Sequence, residues 1–304
     1  MDLTDLRCFL MVAEELHFGR AARRLDLLPA TLGRRLATLE DHLGTVLIHR
    51  TTRAVSLSAA GQELVAQARD LIAAADALEH RARSLGRDSA TRLRIGAIDS
   101  AAAGLLPQIL PIYRLCAPTV QITLEERKTI QLLPRLLSGQ IDLALIRPPE
   151  RRDPRVKLRA LLSESTVVAL PDGHDLARHD NLTVADLADA PMIVPDRQSR
   201  PHSHDLTIKL MHEAGYAARI AQVAEEKHTI VSLVAAGLGL AIVPRWSALG
   251  TPKGLVFRPL LTPEGQPIRR LHLAAAWCAD RRDPVRDGFL DCLEAHLAAM
   301  AQSA

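Results

Sequence analysis

The stretch from His17 to Arg53, HFGRAARRLDLLPATLGRRLATLEDHLGTVLIHRTTR, narrows the choice of fold more than any other part of the chain. Phe18, Ala21, Ala22 and Leu25 recur at helical spacing, as do Leu32, Leu36, Leu39 and Leu43, so two short helices with one apolar face each are expected. Arg20, Arg23, Arg24, Arg34 and Arg35 fall between those apolar positions, and the residues around Asp26-Leu27-Leu28 join the two pieces. That is the geometry of a helix-turn-helix, whose second helix enters a DNA major groove. Pro29 suits the first turn of that helix, because its φ is preset and the N–H it lacks would have no helical partner there. Upstream, residues 2–16 predict a further helix with Leu6, Phe9, Leu10 and Ala13 as its stripe. Downstream, residues 49–57 alternate well enough for a short two-stranded wing.

Charge supports this placement locally rather than globally. The chain of 304 residues carries a net charge of only +3, with 48% hydrophobic and 24% charged residues, the composition of a globular protein with ample core. Between His17 and Arg53, however, seven arginines face Asp26, Glu40 and Asp41, a surplus of four. Phosphate affinity needs cations only at the contact face, so a small basic module on a near-neutral body points to nucleic acid rather than membrane. Pro29, Ala30, Thr31, Arg34 and Arg35 are the expected groove residues, with Arg34 first for base readout, and Arg50, Thr51 and Arg53 the expected backbone contacts of the wing. Cys8, Cys116, Cys278 and Cys292 show no metal-ligand spacing. No leader and no membrane-length apolar run is read, so a cytoplasmic protein with reduced thiols and without cofactor or metal is expected.

The length predicts more than one domain. Ser58 reads as the cap of a long helix in which Leu64, Ala68, Leu71, Ala75, Leu78, Ala82 and Leu85 form a heptad seam over about three repeats. Such a seam must be buried, on its own domain or, the better reading, against a second copy. After a break at residues 86–90, short apolar strands (93–97, 120–124, 143–146, 167–170, 192–194, 220–223, 240–243 and 271–276) alternate with helices (105–116, 130–138, 203–214, 229–236 and 285–300). This alternation predicts parallel α/β sheets.

The N-terminal sixty or so residues resemble the LysR-type transcriptional regulators. Leu6, Phe9, the run Ala13-Glu14-Glu15-Leu16-His17-Phe18, Ala21-Ala22, Leu25, Leu39-Glu40, Leu43-Gly44, Leu47, Arg50, Arg53, Val55, Leu57 and Ala60-Gly61 carry the resemblance, and a looser similarity runs to the C-terminus, where residues 229–244 match closely. The family usually opens its recognition helix with Ser-Gln-Pro-Ala followed by Ser-Arg. This chain has Leu28-Pro29-Ala30-Thr31 and Gly33-Arg34, so a capping side chain and a base-reading glutamine are missing and no operator preference carries over. The resemblance implies an α+α/β protein: a winged helix-turn-helix over 1–58, a linker and dimerisation helix over 59–90, and an effector-binding domain over 91–304. That domain resembles periplasmic binding proteins, with one lobe formed by 91–162 and 267–304 and the other by 163–266, the chain crossing near 159–163 and returning near 260–267. It further implies a homodimer through the linker helix, assembling to a tetramer on a promoter palindrome, and a small aromatic or dicarboxylic acid as effector.

In open α/β sheets ligands gather at the C-terminal ends of strands, where helix N-termini present free N–H groups. Ser100 and Thr129 each stand between such a strand and the next helix, able to cap the helix or to bind a carboxylate. Arg147 ends a strand and can grip a carboxylate with two N–H groups. The loop 198–204 is placed to close over a ligand. The resemblance assigns effector contact to Ser100, Thr129, Arg147, Pro201, His202 and Ser203, with His202 standing where an apolar aromatic ring is usual. Lys227 could add a second cation there, but reads rather as a solvated lysine.

Two other classes compete with this reading. An enzyme of small acids fused to a DNA-binding head lacks any recognisable catalytic motif, and the adjacent acids Glu125-Glu126 and Glu225-Glu226 point to opposite faces if they lie on strands. A thiol redox sensor needs two cysteines that meet in the effector lobes, and those available sit at positions that read as core.

Overall fold

The computed structural model describes residues 2–50, 55–85, 92–249 and 253–301, in two compact units, Met1–Gly86 and Arg87–Ala304. In the first unit, α1 (Leu3–Glu15) starts at Asp2, whose carboxylate accepts the Thr4 N–H at 2.9 Å. Helix α2 (Phe18–Arg24) starts at His17, whose Nδ1 accepts the Gly19 and Arg20 N–H groups at 3.1 and 3.3 Å. The turn into α3 (Pro29–Leu43) passes through Asp26 at φ 55°, a left-handed conformation that aspartate tolerates better than most residues. Leu28 holds the cap position of α3 without a side-chain hydrogen bond, and Pro29 fills the first turn. Phe9, Val12, Ala21, Ala22, Leu32, Leu36 and Leu39 form the core between the helices. Leu43, expected inside, is 38% exposed, because the helix ends one residue later at Gly44 and turns away.

Strands β1 (Ile48–Arg50) and β2 (Val55–Leu57) pair antiparallel as the base of the wing. The Glu40 carboxylate anchors it by accepting the N–H groups of Leu47 at 2.8 Å and Ile48 at 3.0 Å. Helix α4 (Ala59–Leu85) follows, with Ser58 accepting the Gly61 N–H at 2.9 Å as an N-cap does. Gly61 has to be glycine: a Cβ there would lie 2.2 Å from the Leu47 carbonyl oxygen. The heptad seam divides in two. Ala68 is buried and Leu64 packs on the first-unit core, whereas Leu71 is 43% and Leu78 71% exposed. Residues 86–90 and the side chains of Ala82 and Leu85 lie outside the described residues.

The second unit begins with β3 (Arg92–Ala97), a π-helical turn over Ala101–Leu105 and α5 (Leu106–Cys116). Then come β4 (Gln121–Glu126), α6 (Thr129–Leu137), β5 (Leu143–Ile146) and β6 (Val156–Glu164). The chain crosses to a second lobe at Ser165, later than expected, because β6 keeps its pairing through Glu164. That lobe holds β7 (Thr166–Pro171), β8 (Leu182–Thr183), β9 (Pro191–Pro195), α7 (Pro201–Glu213), β10 (Arg219–Ala224), α8 (Lys227–Ala235), β11 (Ala241–Pro244) and β12 (Leu255–Leu261). The return places β13 (Leu271–Cys278) and α9 (Pro284–Met300) in the first lobe.

The expectation of parallel sheets is corrected here. In the first lobe β4-β3-β5-β13-β6, only β3 runs parallel to β4 and β5, and β13 runs antiparallel to both its neighbours. The second lobe, β11-β7-β12-β8, is antiparallel except for the β12–β8 pair, and a separate parallel pair joins β9 to β10. Four of the antiparallel strands, β6, β7, β12 and β13, flank the two crossings between lobes, and β6, β8 and β12 were missed in the sequence. Lys157 and Arg159 interrupt the apolar pattern of β6, and Arg258 and Pro259 that of β12. Two side chains break the division into lobe cores: Trp246, on a 3₁₀ turn over Arg245–Ala248 just after β11, packs into the core of the first lobe, and Leu271 at the start of β13 packs into that of the second.

Candidate functional site

On the first unit, Leu28, Pro29, Ala30 and Arg34 are exposed along α3 and Thr31 is half-buried. Arg34 pairs with no carboxylate among the described residues, so its guanidinium is available. Arg50, also exposed, reaches back to this helix, with Nη1 3.8 Å from where a Cβ on Gly33 would stand. Arg35 is a correction. It turns inward, donates from Nη1 to Asp5 at 3.0 Å and lies 3.8 Å from Asp2, because the position faces α1 rather than solvent. Arg20 and Arg24 are likewise engaged, both with Glu15. The expected contacts Thr51 and Arg53 lie outside the described residues.

On the second unit, a cavity of about 1010 Å³ opens between the lobes. Thr129, Arg147, Pro201, His202 and Ser203 all line it, and Ser100 does not. Ser100 is 1% exposed and neither caps the following helix nor faces the cavity. Its hydroxyl donates to Glu164 at 2.9 Å and accepts from Arg147 Nη2 at 3.2 Å. Arg147 lines the cavity, but its guanidinium is engaged within the first lobe. Its guanidinium lies 3.1 Å from the fully buried Glu164 carboxylate and also donates to the carbonyls of Leu271 at 2.8 Å and His272 at 3.2 Å. A guanidinium so occupied braces the lobe and has little left for a ligand. Thr129 is not the cap of α6, a position held by Lys128; its hydroxyl accepts the Arg147 N–H at 3.3 Å.

Pro201, His202 and Ser203 form the first turn of α7, which starts two residues before the expected Ser203 because Pro201 suits that position. Burial pushes the His202 imidazole below the usual histidine range, and the nearby Arg147 charge acts in the same direction. Both effects favour the neutral imidazole over the cation.

Asp99, Lys128 and Arg200, which also line the cavity, were overlooked in the sequence. Asp99, at the end of β3, faces Lys227 Nζ and Arg200 Nη1, each at 3.0 Å. Burial alone would raise the Asp99 carboxyl, but Lys227 and Arg200 outweigh it and hold it far below the usual carboxylate range. Lys227 is the first residue of α8 and is not solvated as expected; burial pulls its ammonium down and Asp99 opposes that. Lys128 meets Glu225 at 3.1 Å and Glu226 at 2.8 Å, so these adjacent acids share a face after all, both lying beyond the end of β10. The available signal was positional: Asp99, Lys128 and Lys227 each stand between a strand and a helix, like the hydroxyl residues that were chosen.

Among the described residues no group of acids, histidines and cysteines has the arrangement of a metal site. No helix among them is long and apolar enough to cross a membrane. The cysteines do not all lie in the core: Cys116 is exposed at the end of α5 and lies against Cys292 of α9.

A winged helix-turn-helix ahead of a two-lobed domain with an interlobe cavity that carries charged side chains defines a DNA-binding transcription regulator with an effector-binding domain. The chain belongs to the LysR family. The family model for the bacterial regulatory helix-turn-helix protein, lysR family, matches residues 3–62, and that for the LysR substrate binding domain matches residues 86–298. The HTH-type transcriptional regulator TtuA of Agrobacterium vitis is 48% identical over 304 residues, covering 100% of both chains. IlvR of Caulobacter vibrioides is 34% identical over 292 residues, covering 95% of this chain and 96% of the other. Among solved structures, full-length BenM superposes with a TM-score of 0.58 at 27% identity, covering 98% of this chain and 97% of that one. CbnR, a LysR family transcriptional regulator, gives 0.65 at 24%, covering 99% of each, a likeness of fold. These relatives are regulators, and the enzyme alternative is set aside.

Proposed function

We propose that the interlobe cavity binds a small aliphatic dicarboxylate and that its occupancy alters how paired recognition helices hold a promoter. The observation carrying the ligand class is the lining of the cavity: cations outnumber acids, and no Phe, Tyr or Trp is present among the described residues. An aromatic acid, such as the benzoate that is the effector of the BenM effector binding domain, calls for apolar and aromatic walls. Here the walls offer Lys209, which has no ion-pair partner among the described residues, and the Arg200–Lys227 cluster. Two separated positive positions suit two carboxylates. A panel of aliphatic dicarboxylates and aromatic monocarboxylates, screened by thermal shift on the full chain, tests this. A dicarboxylate at a hundred times its dissociation constant should stabilise by about 2.7 kcal/mol. Stabilisation by aromatic monocarboxylates alone, or by none of the panel, would discard the ligand class.

For assembly, the exposed Leu71 and Leu78 on α4 supply an apolar seam that a second copy would cover, which supports pairing through this helix. Two copies present two α3 helices to a palindrome. Within each, Arg34 is the base-reading residue and Arg50 a phosphate contact. Arg34→Ala should reduce the preference for operator over random DNA by about 1–3 kcal/mol, roughly fivefold or more in the affinity ratio. Arg50→Ala should instead weaken both DNAs alike. An unchanged ratio for Arg34→Ala in a competition shift assay would remove it from base readout.

A further inference from the structure

We propose that Asp99 is a resident carboxylate in the anion subsite of the cavity, holding Arg200 and Lys227 across the cleft until a ligand carboxylate displaces it. The proposal rests on the cavity being the effector site, and it gives that site a built-in competitor. Asp99 comes from the first lobe and both cations from the second, so the contact ties the lobes together.

The carboxylate is only partly satisfied. Its Oδ1 accepts from Lys227 Nζ at 3.0 Å and from the Ser100 N–H at 2.8 Å. Its Oδ2, although buried, makes no hydrogen bond: Arg200 Nη1 is 3.0 Å away, but its N–H bonds do not point at the oxygen. A charge held by proximity without alignment is cheaper to replace than a two-pronged pair, and a ligand carboxylate free to orient can form the aligned version.

The subsite does not depend on Asp99 for its shape. Arg200 also donates from Nε to the Glu225 carbonyl at 2.8 Å and from Nη2 to Glu226 at 3.2 Å. Lys128 in turn binds both of those acids. When Asp99 leaves, Arg200 stays positioned to receive another anion. The release also has a path outward. Ser100, the next residue, is bonded to the Arg147–Glu164 pair, and the π-helical turn that follows carries Gly104, against which Trp246 of the other lobe packs.

The test uses the full chain as wild type, Asp99→Asn and Glu150→Gln, the last removing an exposed acid of the same cavity. Titration calorimetry with malonate, succinate and glutarate is expected to show at least about tenfold tighter binding for Asp99→Asn, with less than about a twofold change for Glu150→Gln. A similar gain in both variants would mean a general field effect and overturn the proposal, as would unchanged or weaker binding by Asp99→Asn while wild type binds. Binding by neither wild type nor Asp99→Asn would overturn the effector reading along with it. Hydrogen exchange without any ligand separates the two. Amides over 200–203 and 227–230 should exchange faster in Asp99→Asn, and equal exchange would show that Asp99 does not tie the lobes.

Discussion

Trp246→Ala should destabilise the second unit by about 3–5 kcal/mol, among the largest effects of any single substitution in this chain. The indole is 2% exposed, leaves the second lobe on a 3₁₀ turn, and is packed in the first-lobe core with Leu105 and Ile109. It fits against Gly104 so closely that a Cβ there would stand 2.1 Å from the ring. Truncation to alanine therefore leaves a void shared by both lobes, which neither lobe can close without moving against the other. Gly104→Ala attacks the same contact from the opposite side by overpacking it. Because the chain has two units, unfolding has to be followed by a probe of the second one. The chain has only two tryptophans, and Trp277, also in the second unit, serves as that probe when Trp246 is gone. A loss below about 1 kcal/mol in urea unfolding would mean that Trp246 is not a rivet between the lobes.

Arg147→Met should cost about 3–5 kcal/mol, through Glu164 rather than through any ligand. Glu164 is fully buried, and Arg147 and Ser100 are its partners; with the guanidinium gone, a carboxylate is left in the interior with one hydroxyl to satisfy it. The double variant Arg147→Met with Glu164→Leu should recover most of the loss, since an apolar pair of similar volume needs no solvation. Thermal unfolding of wild type, the single variant and the double variant makes the comparison. If Arg147→Met kept wild-type stability and lost only ligand affinity, the earlier expectation of a carboxylate-gripping arginine would be restored and the bracing role abandoned.

The particular residues show where the sequence was legible. The helix-turn-helix could be read because its information is local: apolar spacing sets the inner face of α3, and Pro29 marks its start. The same holds for β5, whose four buried residues coincide with the expected strand at 143–146. Strand β6 escaped notice because charges on its outer side break the apolar run, and its place in the sheet is decided by β13, more than a hundred residues away in sequence. The cleft was legible as a region and not as a constellation. Thr129, Arg147, Pro201, His202 and Ser203 line it, whereas the choice of Ser100 and Arg147 as ligand contacts overlooked their bonds to Glu164, and the choice of Arg35 for the groove overlooked Asp5.

By itself, then, the order of residues determined the reading head and most of the strands and helices, which follow from spacing within a few turns of chain, while the neighbourhood of the cavity was read with the help of the family resemblance. Only the tertiary structure decided which charged side chains are free and which are engaged. That depends on Coulomb partners brought together across the fold: Arg35 with Asp5, Arg147 with Glu164, Asp99 with Lys227 and Arg200. An arginine or an aspartate has the same identity on paper whether its partner is water, a ligand or a buried acid, and burial changes the strength of each of those interactions several-fold.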